Sequence, residues 1–205
     1  MTRTLRIGGA AGFWGDSPEA ALQVANAGVD VIIFDYLAEV TMAVLARARS
    51  KNPDLGYATD FVDPVMIQLL PQVCGRGLKV VANAGGMNPR ACRDAVLGVA
   101  EKLGLSPRVA IVAGDDLIDR APELAGMGLH EIDKGTPFPD KPWSVNAYLG
   151  ALPIAEALAA GADIVITGRC VDSALVLGPL IAEFGWSAGD YDRLAAGSLA
   201  GHVIE

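Results

Sequence analysis

Residues 163–168 read Asp163-Ile164-Val165-Ile166-Thr167-Gly168, and Arg169 follows directly. Nothing polar alternates within this run. A short β-branched stretch between turn formers indicates a strand buried on both faces, and such strands belong to parallel sheets covered by helices. Upstream, the Ala- and Leu-rich segment closing on Gly161 has the form of a helix that stops before re-entering a sheet. Downstream, Asp172-Ser173 stands where the next helix would open.

The same grammar recurs toward the N-terminus. Apolar runs lie at Leu5 to Ala10, Asp30 to Tyr36, Lys79 to Ala84 and Arg108 to Gly114. Ser17-Pro18 and Asn88-Pro89 each place a capping residue before a proline suited to a first helical position. Gly28 and Gly104 stand where helices should stop. Two helices, Ala38 to Ser50 and Pro64 to Cys74, are expected between the second and third strands. The order βαβααβαβαβα predicts an α/β protein, a mainly parallel sheet with helices on both faces. A partial TIM-like β/α barrel is the alternative, because alternation alone does not separate the two. The strands at Asp30 and Asp163 should be central. Residues 1–205 read as a single α/β domain. After a helix from Asp190 to Ala200, Gly201 to Glu205 reads as the start of a further strand, so the chain is expected to be the N-terminal part of a longer protein.

Composition narrows the function. Of 205 residues 52% are hydrophobic and 20% charged, too apolar for a disordered chain. The net charge of −8 gives no general field for nucleic acid or an anionic membrane surface, so neither is an expected partner. The most apolar stretch, Leu149 to Thr167, is interrupted by Pro153, Glu156, Gly161 and Asp163 and falls short of a membrane span. The first residues lead into a glycine turn without the apolar segment of a signal peptide. Cys74, Cys92 and Cys170 are odd in number and scattered, which points to the reducing cytoplasm. Met127 to Trp143, holding Pro137, Pro139 and Pro142, is either a tolerated surface insertion or a lid or oligomer arm carrying His130, Phe138 and Trp143. Together with the 52% apolar content, this proline-rich stretch ending at Trp143 makes a homo-oligomer, a dimer, the expected assembly.

Ligands of parallel sheets bind beyond the carboxyl ends of the strands. That rule selects Gly12 and Trp14 after the first strand, Asp35 after the second, and Asn83, Gly85 and Gly86 after the third. It selects Asp115 after the fourth, and Arg169 and Asp172 after the fifth. Each also has an ordinary reading as a cap or turn residue. Asp35, Asp115, Arg169 and Asp172 are the catalytic candidates. Gly12, Trp14, Asn83, Gly85 and Gly86 are the substrate-binding candidates. All should meet on one rim. A lone arginine there suits a substrate carboxylate or a CoA phosphate, or else a structural ion pair. On the binding reading, Arg169→Ala would spare the fold.

Other chemistries fare worse. Gly8, Gly12 and Gly15 with Asp35 invite a dinucleotide, but the spacing departs from the fingerprint, and Asp16 and Glu19 would repel a pyrophosphate at the helix start. Asp115-Asp116 with Asp119 could hold Mg²⁺, although Asp116 more simply caps a helix. Two histidines and three scattered cysteines provide no zinc spacing, so no metal ligand is assigned. Cys170, next to Arg169, reads as packing rather than as a nucleophile.

The stretches IGGAAGFWGDSPEAA, VVANAGGMNP, VAIVAGDDL and ADIVITGRCVDSAL resemble the N-terminal domain of the acyclic terpene utilisation AtuA family. The resemblance spans essentially the whole chain. It implies longer family members and a context in terpene catabolism through acyl-CoA intermediates, without implying catalytic residues. The leading expectation is thus a catabolic enzyme of branched or terpene-derived carboxylates or acyl-CoA esters, a lyase or hydratase, with its cofactor undefined. A nucleotide-dependent oxidoreductase and a non-catalytic binding subunit are the alternatives.

Overall fold

The structure, a computed structural model, describes residues 3–205. Five strands form one all-parallel sheet: β1 (Ile7–Ala11), β2 (Val31–Phe34), β3 (Lys79–Ala82), β4 (Val109–Val112) and β5 (Ile164–Thr167). Their order is β1-β2-β3-β5-β4. In a β/α barrel consecutive strands are neighbours; here β5 sits between β3 and β4. The β2 and β5 runs are interior and buried at every position, as their continuous apolar character requires.

Strand side chains alternate between faces, and two cores result. On one face Ile32, Phe34, Val80, Ala82, Ile164 and Ile166 pack against α1 (Glu19–Asn26), α2 (Glu39–Lys51), α3 (Ile67–Arg76) and α4 (Pro89–Lys102). On the other, Val31, Ile33, Val81, Val112 and Val165 meet α6 (Leu152–Ala159) and α7 (Ala174–Phe184). A short α5 (Ala121–Gly126) precedes the proline-rich stretch, and α8 (Tyr191–Ile204) packs on α7. The chain therefore leaves β3 toward one face and β5 toward the other. Adjacent strands with divergent exits open a crevice at their carboxyl ends.

Several local expectations change. Asn88 does cap α4, accepting from the Ala91 N–H at 3.3 Å with Pro89 in the first turn. Ser17 does not cap α1: its hydroxyl bonds Glu19, and Pro18 takes the position before the helix. The helix expected from Pro64 is α3, preceded by a wider, kinked turn, Phe61–Met66. Gly201 to Glu205 is no strand, because α8 continues to Ile204. Gly197 and Gly201, one helical turn apart, let α8 settle onto α7; a Cβ at Gly201 would lie 2.8 Å from the Ser173 carbonyl oxygen. That packing outweighs the β-propensity of Val203 and Ile204. Among the described residues no helix is long and apolar enough to cross a membrane. The three cysteines are unbridged.

Candidate functional site

Sheet register builds the floor of the site. Phe34, Ala82 and Ile166 are aligned across β2, β3 and β5. The next residues, Asp35, Asn83 and Thr167, consequently form a row on the opposite face, toward α6 and α7. Backbone bonds extend the ladder past the strands: the Asp35 N–H donates to Ala11 and the Asn83 N–H to Phe34. All three side chains are buried.

Asn83 positions Asp35. Its Nδ2 donates to Asp35 Oδ1 at 2.6 Å, while its Oδ1 accepts the Tyr36 N–H at 2.7 Å. Asp35 is only 3% exposed. Burial pushes its carboxyl up to about 6, opposed by the Asn83 hydrogen bond and assisted by the negative charges of Asp172 and Glu205. Asp35, Asp172 and Glu205 present carboxylate oxygens within 4.8 Å of one another. Burial raises Glu205 as well, with Asp172 adding to the effect.

Arg169 is the cation among these acids, and it is 4% exposed. Its Nη1 donates to Asp172 Oδ1 at 2.5 Å and to the Cys170 carbonyl at 3.0 Å. Its Nη2 donates to the Tyr148 hydroxyl at 2.8 Å and lies 3.7 Å from Glu39 Oε1. The guanidinium also stacks on the Tyr148 ring, 4.1 Å from its centroid. Tyr148 in turn donates to Glu39. Burial pushes the Cys170 thiol up to about 12, so it stays a neutral packing group.

Asp115 supports the rim from below. Its Oδ2 accepts the Arg169 N–H at 2.8 Å and Asn146 Nδ2 at 2.9 Å. Burial raises its pKa. Asp116 turns away, capping the Ile118 N–H and pairing with Arg49. Gly168 is what makes room for Asp115, since a Cβ there would come within 2.2 Å of Asp115 Oδ1. Gly168→Ala should therefore cost about 2 kcal/mol through overpacking. It should also disturb Arg169, which denaturant titration together with ligand affinity would reveal.

The candidates divide accordingly. Gly12, Asp35, Arg169 and Asp172 line one cavity of about 310 Å³, joined by Phe13, Leu37, Ala38, Glu39, Tyr148 and Glu205. Asn83 and Asp115 stand just behind it, bonded to Asp35 and to the Arg169 backbone. Trp14 packs against the first core instead. Gly85 and Gly86 are buried inside their turn. A Cβ on Gly85 would sit 2.5 Å from the Thr167 carbonyl oxygen, and the Gly86 N–H donates to Asn83. In the glycine loop, Asp16 accepts the Gly12 and Ser17 N–H groups, so the chain's own carboxylate fills the place of a pyrophosphate. A larger concavity of about 800 Å³ is lined only by residues 129–139 and belongs to the proline-rich stretch.

Glu39, Asn146, Tyr148 and Glu205 escaped the sequence reading. Asn146 and Tyr148 arrive on a strap, residues 145–149, that returns from the proline-rich stretch to the strand ends. Backbone bonds fasten it: Leu117 N–H to Val145, Ala147 N–H to Asp115 and Leu149 N–H to Arg169. Residues 145–149 carry no period that would announce them, since backbone bonds alone place the strap.

A comparison with curated proteins finds no match. The family model described as acyclic terpene utilisation family protein AtuA matches residues 5–205. The match takes in every strand and every rim residue, and the chain belongs to that family.

Proposed function

We propose that this chain is an enzyme of acyclic terpene catabolism that moves a proton on a branched, terpene-derived carboxylate or its CoA thioester, in a lyase or hydratase reaction. One observation carries this reading. Asp35 is a buried carboxyl poised at about 6, lining a cavity beside a buried arginine. An acid whose pKa lies near the working pH can both give and take a proton. Removing a proton next to a carbonyl places charge on the carbonyl oxygen, and Arg169 with Tyr148 supplies hydrogen-bond donors for it. Asn83 keeps Asp35 in place, and Phe13, Leu37 and Ala38 offer hydrocarbon walls. The unbridged thiols accord with the cytoplasm as the place of work.

Deuterium uptake tests the proposal. The protein is incubated in D₂O with 3-methylbut-2-enoate and with its CoA thioester, and the products are followed by NMR. Deuterium should enter at the carbon positions acidified by the carbonyl, or water should add across the double bond. Asp35→Asn should slow either process at least about a hundredfold. A wild-type protein that acts on neither compound rules the reading out.

A further inference from the structure

We propose that Arg169 Nη2 and the Tyr148 hydroxyl form the seat for a substrate carboxylate, and that Glu39 fills this seat until the substrate displaces it. The inference rests on the preceding reading of the rim as a site for branched carboxylates, and it assigns the carboxylate its place.

Glu39 is the observation. It is the first residue of α2, and its side chain is 80% exposed. Even so, it reaches back to accept the Tyr148 hydroxyl, with Oε1 3.7 Å from Arg169 Nη2. A guanidinium and a phenol that meet one carboxylate oxygen are the donors a carboxylate ligand needs. Here the carboxylate belongs to the chain itself.

Two carboxylates share Arg169, and they differ in how firmly they are held. Asp172 lies three residues away, bonded at 2.5 Å. Glu39 comes from another element and stands in water, where an ion pair is screened and holds weakly. Glu39 is therefore the one that can leave. Its departure is eased by its position in the first turn of α2, where the helix N-terminus favours a nearby negative charge.

Electrostatics requires exchange rather than addition. A fifth carboxylate entering among Asp35, Glu39, Asp172 and Glu205 would be repelled, with Arg169 the cation facing them in this cavity. Replacing Glu39 by a ligand carboxylate leaves the local charge unchanged. The Tyr148 ring, stacked on Arg169, holds the guanidinium in place during the exchange. Phe13, Leu37 and Ala38 then face a branched hydrocarbon tail.

Calorimetric titration with 3-methylbutanoate, with 3-methylbutanamide as the neutral control, tests the seat in the wild type, Glu39→Gln and Tyr148→Phe. Both substitutions lie on exposed side chains, and matched thermal melts confirm folding. Glu39→Gln should bind the carboxylate about threefold more tightly, because a competing, weakly held ion pair is gone. Tyr148→Phe should bind it about tenfold more weakly, having lost a hydrogen bond to a charged group. The amide should bind at least about tenfold more weakly than the acid. An affinity unchanged or weakened in Glu39→Gln overturns the seat, as does the lack of any binding. The deuterium experiment is scored separately: uptake that persists while Glu39→Gln gains nothing leaves the acid–base reading standing, whereas tighter carboxylate binding without uptake removes that reading and keeps the seat.

Discussion

Arg169→Ala is expected to lower the melting temperature by about 10 °C near pH 7. The sequence alone leaves it open between a binding variant that spares the fold and the loss of a structural ion pair; the geometry gives the residue the ion pair. Its guanidinium is buried, pairs with Asp172 and carries the Tyr148 ring. Deleting the buried arginine leaves the half-buried Asp172 charge uncompensated, at a cost of about 3 kcal/mol, the lower end for a buried pair. Here the stranded Asp172 lies against Asp35 and Glu205, so the repulsion grows. A chain of this size loses about 2–4 °C per kcal/mol. The double variant Arg169→Ala/Asp172→Asn removes the stranded charge and should recover several degrees. Scanning calorimetry of the three proteins decides the matter. A single variant melting within about 2 °C of wild type would mean that water already solvates the cluster.

The strands and the faces of the sheet could be read from the chain because burial on both sides leaves continuous apolar runs, and because parallel strands share one carboxyl end. That topology was enough to bring Asp35, Arg169 and Asp172 to one cavity, with Asn83 and Asp115 bonded behind. What it did not reveal came from elements with no period of their own. Tyr148 and Asn146 are placed by backbone bonds of the 145–149 strap, and nothing in Met127 to Trp143 announces where the chain will return. Glu39 lies one helix start beyond the strand end, where an acid reads as ordinary first-turn chemistry. Glu205 reaches the rim because α8 stays helical, a result of glycine contacts between helices that no propensity scale contains. Trp14 and the Gly85-Gly86 pair show the converse. They lie at strand ends but serve close packing.

Asp35→Asn should slow turnover at least about a hundredfold and yet make the protein more stable above pH 6. The carboxyl is driven up from its ordinary 3.8 to about 6, chiefly by burial. The folded state thus holds a proton that the unfolded chain has released between about pH 4 and pH 6. Stability contributed by this group is present below pH 4 and is lost as pH rises through 6, after which the loss stays constant. A gap of about two pH units corresponds to about 3 kcal/mol. Asparagine carries no charge to desolvate. Its Oδ1 can keep the bond from Asn83, and its Nδ2 can donate toward Asp172 or Glu205. Among the other groups facing it, Arg169 stays charged and the Cys170 thiol neutral across this range, so neither blurs the window. At pH 8 the variant should melt about 5 °C above wild type, and the two curves should merge below pH 4. Thermal melts from pH 3.5 to 8 measure the stability, and deuterium uptake measures the chemistry. Equal melting temperatures at every pH would show that Asp35 is not held protonated by the fold. Undiminished uptake would assign the proton to another group, with Glu205 the neighbouring carboxyl whose pKa is also raised. A gain in stability that accompanies a loss of turnover would identify Asp35 as a residue retained for its chemistry at the expense of the fold.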